Sequence, residues 1–536
     1  MRNEDYPLYE LEEYNSFGEM VECKARKLGK KIAFQYVYKK QVCNVSYEQF
    51  MEDVSKCAFF FNTQYGEKEH IAILGENSYL WLVTFMAAVI SGNVAVCLDR
   101  ELDTDTLNRL LYKSDTKVCV CSESYSDVAE KIKEKNPSVS FVSMKDLLEK
   151  QKCQMGDVKI GGRHDEKQIC EKTAAIFFTS GTSGESKGVM LSQWNMMSDI
   201  NMACKNFKPE GTVLCVLPFH HAFGLITAVL KLYNYEQIVF INSSLRYVKR
   251  DMQLAKPQTM MLVPLFIESF HKTIWMTAKE KGMEKKLKMG FILNKVLLHF
   301  GIDMRRKIFR SVLENFGGKL EYIVCGGASL QIKYVEEFRN FGIEILNGYG
   351  ITECSPVIAV NRNFYHRDGS VGQILQDCKV QIHIEGMEKK EGEIQVKGSN
   401  VMLGYYNDSK ETEMAFEEGW FKTGDLGYVD EEGFLYITGR KKNLIILPNG
   451  ENVSPEELEE KVLQIPYVKE VVVSEIDEQI QAEVFLDKEI EPNAEQEIKQ
   501  AIQTLNKSLP NYKKITRTVI REQEFEKTST KKIKRN

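Results

Sequence analysis

With 536 residues, 43% of them hydrophobic and 27% charged, the chain has the makeup of a soluble globular protein of about three or four domain-sized units, at roughly 150 residues each. Its 71 basic side chains against 76 acidic ones leave a net charge of −5, which excludes the global basic field of a nucleic-acid binder. Thirteen cysteines without a C-x-x-C pair, and an acidic start (MRNEDYPLYELEE) without a signal peptide, fit free thiols in a cytoplasmic protein.

In chain order, residues 71–74 read as a short buried strand, and Glu76-Asn77-Ser78 as the cap of the helix that follows. Residues 80–98 are largely apolar, but Ser91-Gly92-Asn93 interrupts them, so they predict a buried helix and then a strand at 94–97. A transmembrane helix needs about 20 uninterrupted apolar residues. Strand, apolar helix and strand form a βαβ unit with both sheet faces covered. Cys119 and Cys121 share one face of a strand, as core packing rather than metal ligation. Strand-like runs return at 212–217, 237–241 and 259–263, which makes the body α/β.

Residues 279–310 hold ten Lys or Arg against three Asp or Glu, with apolar patches at 291–293 and 296–298. This predicts a solvated helix whose apolar stripe packs on the body, the alternative being a basic amphipathic helix that lies on a membrane. Beyond Arg440 the texture changes. Ser454-Pro455-Glu456-Glu457 has the form of a capping box with proline at the first helical position. Strands at 468–473 and 480–486 follow, then a helix with Ile498, Ala501, Ile502, Leu505 and Leu509 on one face. This is a small α+β module behind a polar, cationic joint at 439–443.

The densest chemistry lies where an apolar run ends in Thr179-Ser180-Gly181-Thr182-Ser183-Gly184, with Lys187 three residues further on. Phosphate oxygens are held by successive backbone N–H groups, hydroxyls and an ammonium, and glycine lets the backbone approach them closely. The run therefore reads as a triphosphate cradle, although a plain Ser/Gly turn has similar composition. It is not the G-x-x-x-x-G-K-[ST] loop, because Gly188 follows Lys187. In NGYGITE (347–353) the glycines Gly348 and Gly350 suit a backbone wall against a planar ring, and Glu353 is a hard oxygen ligand fit for Mg²⁺. Asp425 offers a carboxylate that can accept ribose hydroxyls, and Arg440, fifteen residues on, a second contact. By themselves the pair His220-His221, the turn Cys325-Gly326-Gly327-Ala328 and the basic tail 526–535 are ordinary features.

Taken together, in order from about residue 173 to 535, these motifs resemble the adenylate-forming superfamily of acyl-CoA synthetases, beetle luciferases and peptide-synthetase adenylation domains. The resemblance implies that the Thr179–Lys187 loop holds the phosphates of ATP and that Gly326, Gly327 and Ala328 flank the adenine. It implies that Tyr349 stacks on that ring, Thr352 contacts phosphate and Glu353 meets the metal. Asp425 and Arg440 would bind ribose and phosphate. His221, with Phe223, Gly224, Cys325 and Pro356, would line the acyl end of the pocket. Lys532 would be the adenylation catalyst, Lys442 the hinge, and Gly450 with Glu451 the CoA entrance. Ser186 stands where the family usually carries proline, and in the closing motif Glu526 replaces proline and Lys531 replaces glycine.

The fold implied is a large α/β body over 1–439 and a small mobile α+β cap over 440–536. The activity implied is conversion of a carboxylic acid, ATP and CoA to acyl-CoA, AMP and pyrophosphate, with Mg²⁺. Amino-acid-activating relatives carry Phe-Asp where this chain has Phe219-His220-His221, so an α-amino acid is not expected. The strings NGYGITECSPV and LPNGENVSPEELE are most similar to long-chain acyl-CoA synthetases. A ligase that loads a separate carrier protein and an inactive acyl- or nucleotide-binding paralogue are the alternatives. Nucleic acid is not a partner in any of these readings, and membrane contact is at most peripheral.

Overall fold

Ser78 starts the first buried helix, its hydroxyl accepting the Trp81 backbone N–H at 3.1 Å. Ten of the twelve residues of that helix, Tyr79–Ile90, are buried, as its all-round apolar sequence requires. Gly92, at φ +81°, turns the chain out of the helix and into a buried strand. The computed structural model describes residues 7–149, 171–180, 186–384, 391–447, 452–476, 479–486, 494–527, 533 and 535. The chain folds as two compact units, one of Met1–Lys379 with Val396–Phe421, the other of Val380–Gln395 with Lys422–Asn536.

The strands of the first unit, in chain order, are β1 (Ile32–Tyr38), β2 (Gln41–Ser46), β3 (His70–Leu74), β4 (Val94–Cys97), β5 (Val118–Cys121), β6 (Ser140–Ser143), β7 (Thr173–Ser180) and β8 (Ser186–Ser192). They continue with β9 (Thr212–Cys215), β10 (Ile238–Ile241), β11 (Thr259–Leu262), β12 (Tyr322–Cys325), β13 (Glu344–Gly350), β14 (Val357–Val360) and β15 (Gln373–Ile374). One sheet runs β15-β14-β13-β12-β11-β9-β10-β1-β2, and the six strands from β13 to β1 are parallel. A second sheet runs from the short strand Gly404–Tyr405 through β8-β7-β4-β3-β5-β6, with β7, β4, β3, β5 and β6 parallel. Parallel strands end their connections on one edge, so the loops at their carboxyl ends gather there. Asn77, beyond β3, stitches the two edges: its amide N donates to Leu217 O at 2.7 Å, and its carbonyl O accepts the Phe219 N–H at 3.0 Å.

The cores are as the strand patterns require. Ala72, Val96, Leu107, Cys119 and Ile176 pack in one, and Leu214, Phe240, Met260, Ile323 and Phe338 in another. The basic segment departs from expectation. In the helix Glu284–His299, Leu287 and Phe291 pack on the core, whereas Met289, Ile292, Leu293 and Val296 stay exposed. Among the described residues no helix is long and apolar enough to cross a membrane.

In the second unit the strand Val468–Ile476 pairs antiparallel with Gln479–Leu486, which pairs parallel with Arg517–Arg521. The helices Pro455–Val462 and Ala494–Asn506 cover this sheet through Leu458, Val462, Ile498 and Ile502. Ser454 precedes the first helix but makes no capping bond, contrary to the capping-box expectation. Its hydroxyl donates instead to Thr438 O at 2.8 Å. A side chain at Gly439 would block this, since a Cβ there would lie 2.4 Å from the Ser454 hydroxyl.

Glu459 accepts the Val473 N–H at 2.7 Å and pairs with Arg535. Burial outweighs the arginine and raises its carboxyl from the ordinary glutamate value to about 7. An acid raised in the folded state costs nothing below its unfolded pKa; the cost grows as pH rises and is complete above about 7. Glu459→Gln is therefore expected to stabilise the chain more at pH 8 than at pH 5, by about 2 kcal/mol, read from urea midpoints at the two pH values.

Candidate active site

Three sequence motifs meet at the carboxyl ends of the first sheet. The segment after β9 turns through Pro218-Phe219-His220-His221 into a wide, π-type helix, Phe223–Leu230, a form common at functional sites. Gly224 is needed for the turn, because a Cβ there would lie 2.0 Å from Pro218 O. The half-exposed Phe223 ring lies against Gly326, just beyond β12, where a Cβ would come within 3.2 Å of the ring and 3.6 Å of Gly348 O. Phe223, Gly326 and Gly348 are thus brought together from three strands, β12 and β13 being held in register by Cys325 opposite Asn347. Gly327, at φ +85°, and Ala328 are exposed beside them. Cys325 is buried, and burial pushes its thiol up.

β13 leads into the second motif. Tyr349 is half-buried opposite Ala359, and a Cβ at Gly350 would lie 1.9 Å from the carbonyl O of buried Pro356. Thr352-Glu353-Cys354 form one short helical turn. The segment is fastened by groups that carry no local motif. Asp199, fully buried, accepts the Val357 N–H at 3.0 Å. Asn400 donates to Cys354 O at 3.1 Å and to Val357 O at 3.0 Å. Burial pushes the Asp199 carboxyl well up and the ammonium of the equally buried Lys231 down, each partly offset by the other's charge.

On the second sheet, Thr179 is opposite Lys187 and Ser180 opposite Ser186. The antiparallel pair therefore brings the two ends of the segment 181–185 together at the carboxyl end of β7. Gly181, Thr182, Ser183 and Gly184, in that segment, lie outside the described residues. The Lys187 ammonium pairs with Glu411 and sits 5.0 Å from the centre of the Tyr405 ring. The Tyr405 hydroxyl donates to Glu353 Oε1 at 3.0 Å. Burial and the Glu353 carboxylate push that hydroxyl's pKa up, so it stays a donor. The lysine of the first motif and the glutamate of the second are joined through one ring. Strand pairing causes this: Tyr405 is opposite Val189, and Met402 N donates to Glu353 O at 2.8 Å.

The histidine pair divides its work. His220 is buried with Nε2 3.2 Å from Asp99 Oδ1, and its ring lies 4.4 Å from the half-buried His221 ring. Burial, aided by His221 and opposed by Asp99, lowers the His220 pKa to about 3, so its ring is neutral at neutral pH.

Asp425 and Arg440 belong to the second unit, opposite each other in register and paired at 2.9 Å, with Asp425 buried. Glu393, also buried, accepts the Gly424 N–H at 3.2 Å and pairs with Lys441 at 3.0 Å. Lys442 is exposed in the short turn Lys441–Asn443. Lys532, Gly450 and Glu451 lie outside the described residues.

A family model described as "AMP-binding enzyme" matches residues 21–406, and one described as "AMP-binding enzyme C-terminal domain" matches 442–536. The chain belongs to the AMP-binding enzyme family. Among curated relatives, fatty acyl-CoA synthetase A of Dictyostelium discoideum is 28% identical over 440 residues, covering 76% of this chain and 66% of that one. Long-chain-fatty-acid–CoA ligase 1 of Saccharomyces cerevisiae is 30% identical over 385 residues, covering 66% of this chain and 53% of that one. The matched part thus falls short of two thirds of either relative's length. The structure of o-succinylbenzoate CoA synthetase from Bacillus subtilis with ATP and magnesium superposes with a TM-score of 0.73 at 23% identity, covering 96% of this chain and 98% of that one. That likeness is one of fold.

Two glycines of the site, each pressed against a backbone carbonyl, give a direct check. Gly224→Ala and Gly350→Ala each drive a methyl into a backbone carbonyl that cannot yield as a side chain would. Each is expected to cost about 3 kcal/mol of stability, read from chemical denaturation.

Proposed function

We propose that this chain activates a carboxylic acid with ATP and transfers the acyl group to CoA, yielding acyl-CoA, AMP and pyrophosphate. The observation that carries the reading is the chain Glu411–Lys187–Tyr405–Glu353, which joins an ammonium at the mouth of a Ser/Thr/Gly loop to a carboxylate beside Thr352. In this reading a carboxylate oxygen of the acid attacks the α-phosphate, and the bond to the leaving pyrophosphate breaks. Such a step is accelerated by positioning and by cations already in place.

Thr179, Ser180 and Lys187 hold the β- and γ-phosphates with the loop between them, and Lys532 bridges the acid and the α-phosphate. Tyr349, between Gly348 and Gly350, stacks on the adenine that Gly326, Gly327 and Ala328 flank, and Asp425 with Arg440 takes the ribose. Glu353 suits a Mg²⁺ carried on the nucleotide, because a hard cation prefers carboxylate oxygen. That ion, when bound, neutralises phosphate charge. His221, Phe223, Gly224, Cys325 and Pro356 line the acyl end, and the apolar motif neighbours Phe223, Leu225, Pro356 and Val357 favour an alkyl or aryl carboxylate. Relatives named as fatty-acid CoA ligases support a medium- or long-chain fatty acid. A body over 1–439 and a cap over 440–536, pivoting at Lys442, complete the proposal, with Gly450 and Glu451 at the CoA entrance and a cytoplasmic location.

The test is AMP release across acids of graded chain length, with CoA, a phosphopantetheinylated carrier protein, or neither. AMP release that depends on a fatty acid and CoA supports the reading. Dependence on the carrier alone makes the protein a loading ligase, and no release with any acid rejects it. Lys532→Ala is expected to lower acid-dependent pyrophosphate exchange by at least ~10²-fold, the usual cost of losing one transition-state contact. Lys442→Pro, which fixes φ at the pivot, is expected to spare that exchange and stall thioester formation; equal loss of both steps would end the hinge assignment.

A further inference from the structure

The helix Glu284–His299 packs Leu287 and Phe291 on the core and yet carries a second apolar face outward. Asn294 faces inward and is fully buried, with neither amide atom partnered. Met289, Ile292, Leu293 and Val296, three and four residues apart, form the outer face, and Phe300 continues it past the helix end. Their exposures are 67, 67, 51, 50 and 72%. Single exposed apolar residues are ordinary, but a continuous stripe marks an interaction site. Exposed lysines Lys285, Lys286, Lys288 and Lys295 border it.

We propose that this helix is a docking face for an anionic lipid bilayer. The 16-residue helix lies flat in the interface, its apolar stripe inserted among the acyl chains and its lysine ammoniums among the headgroups. Charge complementarity selects this occupant. A two-fold contact with a second copy would set the same lysine border against itself, whereas anionic headgroups neutralise it. The inference is independent of the chemistry at the active site.

The test is co-sedimentation of the full chain with vesicles of phosphatidylcholine alone and of phosphatidylcholine mixed with phosphatidylglycerol. Binding to the mixed vesicles, weakened by salt, is expected. Ile292→Glu combined with Val296→Glu is expected to lower partitioning by at least ~10-fold. Lys288→Gln combined with Lys295→Gln is expected to lower it by roughly 10-fold on the mixed vesicles only. Because all four positions are exposed, the variants should keep the parent's melting midpoint. Equal binding to both vesicle types, no binding to either, or a concentration-dependent dimer abolished by the two glutamates would each overturn the proposal.

Discussion

The site of this protein turns on how one ammonium is held. Lys187 sits at the end of a β-hairpin whose loop is rich in hydroxyls, and two partners fix it from outside that hairpin: the Glu411 carboxylate and the face of Tyr405. A flexible lysine stem loses rotamer freedom when it is ordered, and here that cost is met by the fold rather than by a ligand. Tyr405 then passes the constraint on through its hydroxyl to Glu353. Cation and anion are therefore set apart by one rigid ring instead of collapsing onto each other.

Beneath this surface arrangement lies a buried polar frame. Asp199 and Lys231 are both buried and each feels the other's charge, and Asp199 spends a lone pair on the backbone just after Pro356. Buried polar groups are costly unless hydrogen-bonded, and here the bond is spent on fixing a backbone position. Asn400 does similar work on the neighbouring carbonyls. Together they pin the turn that presents Thr352 and Glu353, and the close approach of Gly350 to Pro356 is possible because both sides are fixed.

The sequence was readable where chemistry is contiguous. The hydroxyl-glycine loop, NGYGITE and the Gly-Gly-Ala turn declare themselves within a few residues, and strand–helix alternation with Ser78 as cap announces the parallel sheets that carry them. Tyr405, Glu411, Asp199, Asn400 and Glu393 went unread because each is a single polar residue whose partner is supplied by distant pairing; Glu411 stands 224 positions from Lys187. Strand ends were overrun for a related reason. The run 212–217 leaves the ladder after Cys215, and the Leu217 carbonyl is taken by Asn77. Helical periodicity fixes spacing, but not which face turns inward. That is how Asn294 came to be buried while Ile292 was left in water.

Cys325 carries one more consequence. A protein that builds a mixed anhydride beside its own sulfur risks acylating itself, since the thiolate is the reactive form. This sulfur is shut away at the end of β12, and burial keeps its proton on. Under the proposed chemistry, the visiting thiol of CoA is the competent sulfur nucleophile at that spot, and the resident one is a spectator.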